Sequence, residues 1–204
     1  MTNETELKSA LGATPAVDLA DLTARIGRAA GAEGTLDLAY CEIDSPVGSL
    51  LGVVSPTGLI KLGYPNREVD EQLEWLAATV SPRILESPTA FGLDEVRREL
   101  DQYFEGERRS FDLPIDWSLT KGFVNDVLRQ TARIPFGETR SYGEMATSAG
   151  SPRAFRAAGS ALGANPIPIV VPCHRVLRSG GALGGYGGGL DVKIKLLELE
   201  GVLT

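Results

Sequence analysis

The run Pro172-Cys173-His174-Arg175-Val176 sets a thiol directly beside the only histidine in the chain. A thiol with its ordinary pKa of about 8.5 is a poor nucleophile at neutral pH until a base or a positive neighbour raises its thiolate fraction. His174 and Arg175 are candidates for that role. The approach, Asn165-Pro166-Ile167-Pro168-Ile169-Val170-Val171-Pro172, holds three prolines, which remove amide donors and push their predecessors away from helix. A rigid extended segment is therefore expected to deliver Cys173. After it comes a glycine-rich stretch, Gly180 to Gly189, broken by Ala182, Leu183 and Tyr186. The plain alternative is a small buried cysteine beside a surface histidine. A cysteine hydrolase built on Cys173 and His174 is another reading, but nothing in the sequence marks an oxyanion hole. One His and one Cys fall short of four tetrahedral ligands, so no metal is expected.

Two helices separated by a tight break precede this segment. Ser141 with Glu144 three residues on makes a capping box for a helix through Ala149, and Gly150 stops it. Ser151 as N-cap and Pro152 as first residue predict a second helix through Arg156 and Leu162 to Ala164. The pair has the spacing of a helix-turn-helix or of an ordinary helical hairpin. The small residues Ala154, Ala157, Ala158, Gly159, Ser160 and Ala161 let the second helix approach a surface closely, either the protein's own core or a DNA groove. Phe155, beside Arg156, faces one or the other.

Upstream, residues 37 to 64 alternate short apolar runs with the turns Ser45-Pro46-Val47-Gly48 and Ser55-Pro56-Thr57-Gly58, which predicts a three-stranded antiparallel meander. Val69, Leu73, Leu76 and Ala77, then Val96, Leu100, Tyr103 and Phe104, recur at helical spacing, so two helices are expected over one face of that sheet. A linker with Pro114 and Trp117 leads to a helix bearing Phe123, Val127 and Leu128, which ends near Pro135-Phe136-Gly137. Residues 1 to 35 offer only a short amphipathic helix through Leu19, Leu22 and Ile26.

The 204 residues, 43% of them apolar, suffice for one large domain or two small ones. The long uncharged stretch from Ala157 to Pro172 is interrupted by glycine and proline and is too short to span a bilayer. The start, Met1-Thr2-Asn3-Glu4-Thr5-Glu6, lacks the basic and apolar regions of a secretory signal, so a cytoplasmic protein is expected, with Cys41 and Cys173 both free thiols. The net charge of −7 opposes a nucleic-acid partner on average, but it is unevenly spread. From Lys121 onward the balance is +4, against −11 before it. A mildly basic C-terminal part on an acidic partner is the charge layout of a DNA-reading module, although solvated surface charge produces it too.

Five stretches together become specific: Phe136-Gly137-Glu138-Thr139-Arg140-Ser141-Tyr142, Arg156-Ala157-Ala158-Gly159, Asn165-Pro166, Pro172-Cys173-His174-Arg175-Val176 and Gly185-Tyr186-Gly187-Gly188-Gly189-Leu190. Over about residues 37 to 203 the chain closely resembles the O6-alkylguanine-DNA alkyltransferases. The resemblance implies an α+β protein: an extension over 1–35, a ribonuclease-H-like unit over 36–115 with a three-stranded sheet and helices, and a mainly helical, winged helix-turn-helix-like unit over 116–204 that binds DNA. It implies that Cys173 takes the alkyl group irreversibly, that His174 deprotonates it through a water, that Glu200 orients His174, and that Asn165 braces the turns. By the same resemblance Tyr142 helps rotate the nucleotide and donates to the departing guanine, and Arg156 replaces the extruded base. Ala157, Gly159 and Ser160 line the DNA face; Tyr186, Gly187 and Pro168 wall the pocket; and the carbonyls of Cys173 and Val176 read the guanine amino group. The implied partner is double-stranded DNA carrying alkylated guanine, held through its minor groove by a monomer. No cofactor is needed, because the substrate carries its own electrophile. A binding-only relative is the other DNA-reading possibility, and the intact Cys173 opposes it.

Overall fold

Turn-forming Ser-Pro and Gly residues between short apolar runs fold into the expected meander of β1 (Leu38–Ile43), β2 (Leu50–Ser55) and β3 (Gly58–Gly63). The computed structural model describes residues 19–66 and 68–203; residues 1–18 of the N-terminal extension lie outside that description. A fourth strand, β4 (Ile84–Glu86), pairs parallel with β1 and completes the order β3-β2-β1-β4. At three residues it is too short to show the alternation by which strands are read.

Every residue of β2 is buried, so both faces of the sheet need cover. On one face, α1 (Leu19–Ala32) runs past β4 and the turn Ala90–Gly92 that leads into α3 (Leu93–Phe104). Leu93, Val96, Leu100 and Tyr103 of α3 pack there with Ala39, Cys41, Ile43, Leu50 and Val54. On the other face α2 (Val69–Thr79) sets Leu76, Val69 and Leu73 against Leu38, Leu51, Val53 and Ile60. The expectation of two helices on one face is thus corrected: α2 and α3 sandwich the sheet. The helix α1 exists, but it does not pack through the expected stripe, since Leu22 is 40% and Ile26 51% exposed. It packs through Ala24 and Gly27, and a Cβ at Gly27 would stand 2.2 Å from Ser87 Oγ, so only glycine permits this approach.

The outer edge of β3 is covered by chain from elsewhere. Leu59 donates to Pro114 O (2.8 Å), Asp116 to Leu59 O (2.9 Å), and Leu62 to Pro166 O (2.8 Å), which ties the sheet to the segment preceding Cys173. The C-terminal part follows as α4 (Gly122–Thr131), β5 (Arg140–Ser141), α5 (Tyr142–Ser148), α6 (Phe155–Gly163), β6 (Val176–Leu177) and α7 (Leu190–Leu199). Ser141 and Glu144 cap α5 reciprocally, and Gly150 turns the chain at φ 78°. The helix α6 begins later than expected and Ser151 does not cap it: Ala154 donates to Ser151 O (2.9 Å) to close a turn over Pro152-Arg153, and Ala154 itself, at φ −93° and ψ 31°, is the N-cap. Ala158, Ala161 and Leu162 of α6 enter the core with Val127, Leu128, Met145 and Ala146. Arg156, Ala157 and Ser160 point outward, as does Phe155, which is 49% exposed and so does not belong to the core. The small residues of this helix therefore serve both surfaces. Among the described residues no helix is long and apolar enough to cross a membrane.

Candidate active site

Two two-residue strands bring the chemistry together. The parallel pairing of β5 with β6, Arg140 opposite Val176 and Ser141 opposite Leu177, sets the Cys173–Arg175 turn before one end of the pair and Tyr142 after the other, and Tyr142 and Cys173 line the same cavity. The segment before Cys173 is not extended, contrary to expectation. Ile167 donates to Asn165 Oδ1 (3.0 Å), Val170 to Pro168 O (2.9 Å) and Val171 to Ile167 O (2.9 Å), winding the chain into consecutive turns. Ile169 sits at φ 72°, a strained position for a β-branched residue. The prolines exclude helix, as expected, but the Asn165 side chain supplies the hydrogen bonds that curl the segment. Asn165 then donates to Val171 O (2.8 Å) and to Cys173 Sγ (3.1 Å).

His174 is fully buried, with Nε2 2.9 Å from Glu200 Oε1. Burial opposes ionisation of Glu200, but hydrogen bonds and charge from His174 and Arg175 outweigh it and hold the carboxyl down at about 2. A carboxylate can only accept, so Nε2 carries the proton, and Nδ1, which has no hydrogen-bond partner among the described residues, is left as the basic nitrogen. Burial pushes the imidazole pKa below its ordinary value, with Glu200 offsetting part of that, so the ring is neutral and ready to accept a proton at pH 7. The Cys173 thiol is pushed up by burial, against the Asn165 hydrogen bond, the charge of Lys193 and the Tyr186 hydroxyl. At rest it is a thiol, and a base is needed to ionise it.

Arg175 does not act on the thiol. Its guanidinium holds Glu200 with two donors, Nε to Oε2 (2.9 Å) and Nη2 to Oε1 (2.8 Å), and reaches Ile134 O. The cation beside Cys173 is Lys193, fully buried and donating to Val176 O (2.7 Å). One lone pair of that carbonyl is therefore taken, and the Cys173 carbonyl accepts from the Val176 amide, so each keeps a further acceptor position.

Cys173 opens onto a cavity of about 340 Å³ lined by Tyr142, Gly159, Leu162, Tyr186 and Gly187. Pro168, Asn165 and Tyr186 line a second, of about 430 Å³, which meets Cys173 from the sheet side. The structure so brings together Cys173, His174, Glu200, Asn165, Tyr142, Tyr186, Gly187, Pro168 and Val176. Arg156, Ala157 and Ser160 do not line these cavities; they lie on the outer face of α6. Tyr142 is half-buried and kept protonated, its pKa raised chiefly by burial. A Cβ at Gly184 would stand 2.2 Å from its hydroxyl, so the glycine loop closes on Tyr142 because it lacks side chains.

Sequence reasoning missed four contributors. Lys193 had a readable signal, since it shares an apolar helical stripe with Leu196 and Leu197. Tyr103 was legible as core but not as a donor to Glu200 Oε1 (2.7 Å). Tyr64, whose hydroxyl is 2.6 Å from that of Tyr186, and Asn66, donating to Gly187 O (2.8 Å), lie over a hundred positions from their partners and carried no signal.

Residues 38–117 match the family model described as 6-O-methylguanine DNA methyltransferase, ribonuclease-like domain, and residues 122–202 match the DNA binding domain of the same name. The inducible methylated-DNA–protein-cysteine methyltransferase of Bacillus subtilis is 40% identical over 143 residues, 70% of this chain and 79% of that protein. The methylated-DNA–protein-cysteine methyltransferase of Mycolicibacterium paratuberculosis is 44% identical over 161 residues, 79% of this chain and 91% of that one. A crystal structure of Mycobacterium tuberculosis OGT in complex with DNA matches with a TM-score of 0.67 at 41% identity, covering 79% of this chain and 92% of that one.

Proposed function

Because this chain belongs to the methylated-DNA–protein-cysteine methyltransferases and repairs DNA directly by moving an alkyl group from DNA to a cysteine, we propose that Cys173 is the acceptor and O6-alkylguanine the donor. The observation that carries this is the His174 ring, tied by Nε2 to an ionised Glu200 with Nδ1 left basic, one residue from a thiol that Asn165 holds. Nδ1 takes the thiol proton through a water; the sulfur electron pair forms the S–C bond as the C–O6 bond breaks. Guanine leaves as an anion, and the Tyr142 hydroxyl donates to that developing charge. The thioether product offers water no good leaving group, so one molecule repairs one lesion.

The alkyl carbon is out of reach inside a stacked duplex, so the nucleotide must be flipped out at a cost of about a few kcal/mol. The outward face of α6, with Arg156, Ala157 and Ser160 exposed, is the surface proposed to enter the minor groove, Arg156 filling the gap left by the base. The protein acts as a monomer in this reading, and two free thiols fit a reducing cytoplasm.

Peptide mapping after incubation with methylated duplex DNA tests the assignment. One methyl on the peptide bearing Cys173 is expected. Methyl on Cys41, a thiol that burial pushes up to about 11, would overturn it.

A further inference from the structure

Two hydroxyls from the sheet-bearing part of the chain reach the reacting pair from behind. Tyr64, just beyond β3, stands with its hydroxyl 2.6 Å from the Tyr186 hydroxyl, the rings meeting edge-on at 5.7 Å. Tyr186 lines both cavities that reach Cys173, its ring stands edge-on to His174 at 6.4 Å, and its hydroxyl works with Asn165 and Lys193 against the burial that pushes the thiol up. Tyr103 of α3 donates to Glu200 Oε1 (2.7 Å), the same oxygen that faces His174 Nε2 at 2.9 Å. The transfer step itself uses neither Tyr64 nor Tyr103.

Resting on the reading of Cys173 as acceptor, we propose that Tyr64 and Tyr103 are positioning residues that tune the two halves of the reacting pair separately, Tyr64 acting on Cys173 by way of Tyr186 and Tyr103 acting on His174 by way of Glu200.

The directions follow from donor counts. A thiolate has no proton to give, so when Cys173 is ionised the Tyr186 O–H donates to sulfur and the Tyr186 oxygen accepts from Tyr64. Hydrogen bonds in such a chain polarise and strengthen one another. Without the Tyr64 hydroxyl, Tyr186 is a weaker and less fixed donor, and the thiol ionises less readily. On the other side Tyr103 draws charge from Oε1; without it that charge returns to the imidazole, which then binds its second proton more tightly. Other titratable groups facing Cys173 are Tyr142 and Lys193, and those facing His174 are Arg175 and Lys193, none of which either change removes.

The test uses the full chain. His174 is the only histidine, so its imidazole NMR signals titrate without ambiguity, while the pH dependence of iodoacetamide labelling, read on the Cys173 peptide, reports the thiol. Tyr64→Phe is expected to raise the thiol midpoint by about half a pH unit, roughly threefold in proton affinity, and to leave the His174 midpoint in place. Tyr103→Phe is expected to raise the His174 midpoint by about the same amount and leave the thiol in place. In a Tyr186→Phe background Tyr64→Phe should add nothing. The proposal is wrong if Tyr64→Phe leaves the thiol unmoved, if its shift persists in full without the Tyr186 hydroxyl, or if Tyr103→Phe leaves His174 unmoved. Should Tyr103→Phe fail to fold, fluorotyrosine at position 103, a stronger donor, must lower the His174 midpoint, and an unchanged midpoint overturns that half. Alkylation of wild-type protein by methylated DNA separates the layers: no methyl on Cys173 with both shifts present sinks the functional reading alone, whereas methyl on Cys173 without the shifts sinks the tuning alone.

Discussion

Cys173 is held as a thiol, not as a resting thiolate, because burial outweighs Asn165, Lys193 and Tyr186 around it. The base must therefore act at each encounter, and His174 is neutral and poised to do so, its pKa pushed down by burial. Transfer should be insensitive to pH from neutrality down through the ordinary imidazole range, falling only where this depressed group protonates. At the other end of the proposed reaction, Tyr142 would donate to charge that exists only as guanine leaves. Tyr142→Phe should slow transfer roughly 10- to 100-fold while DNA affinity is nearly kept, the mark of an interaction made in the transition state. Single-turnover rates set beside equilibrium binding to an unreactive duplex check this, and equal losses in both would reassign Tyr142 to binding. The placement of these groups was largely legible: Cys173, His174, Asn165 and Tyr142 stand in motifs whose spacing survives folding. The role of Arg175 was not, because adjacency in sequence put it near the thiol, whereas the turn over Cys173–Arg175 aims its guanidinium at Glu200.

The helix α6 is one element with two duties, its Ala158 and Ala161 in the core and its Arg156 outside. If Arg156 fills the stack left by the extruded base, Arg156→Ala gives up that compensation. Offsetting even about 1.4 kcal/mol of the flipping cost corresponds to roughly tenfold in rate. Repair of duplex DNA should slow by that order, while reaction with free alkylated guanine, which needs no flipping, should stay unchanged. A mismatch opposite the lesion should restore part of the loss, since unpairing there is cheaper. Equal slowing of the free base would remove Arg156 from this role. The helix itself was foreseen but its start was not: Ser151-Pro152 is a sound cap signal, and the competing turn that Ala154 closes onto Ser151 won. The sidedness of the sheet escaped for a similar reason, since the spacing of α2 and α3 shows that each has an apolar stripe but not which face of a doubly buried sheet it covers.

For the whole molecule, Glu200 is the joint. It accepts from Tyr103, from His174, from Arg175 and from the Gly137 amide, drawing the sheet-bearing part and the helical part onto one buried carboxylate. Its folded pKa of about 2 lies below the ordinary 4.5, so between those values the unfolded chain binds the extra proton, and stability fully present above the upper one drains away as pH falls toward the lower. Thermal melts from neutral to acid should show that loss. Glu200→Gln should lack it and, by leaving the buried Arg175 charge without its partner, should cost about 3–5 kcal/mol at neutral pH. A melting temperature for this variant within experimental error of wild type would remove Glu200 from that position.

The covered edge of β3 has a consequence for how the molecule breathes. Pro166 has no amide hydrogen of its own, so the link between the sheet and the Cys173 segment runs one way, from the Leu62 amide to the Pro166 carbonyl. That single hydrogen can exchange with solvent deuterium only when the two parts separate, which makes Leu62 a clock for their opening. Its exchange should be as slow as that of the innermost amides of β2 and should quicken in Glu200→Gln. Rapid exchange at Leu62 in the intact protein would mean that the two parts come apart long before either unfolds.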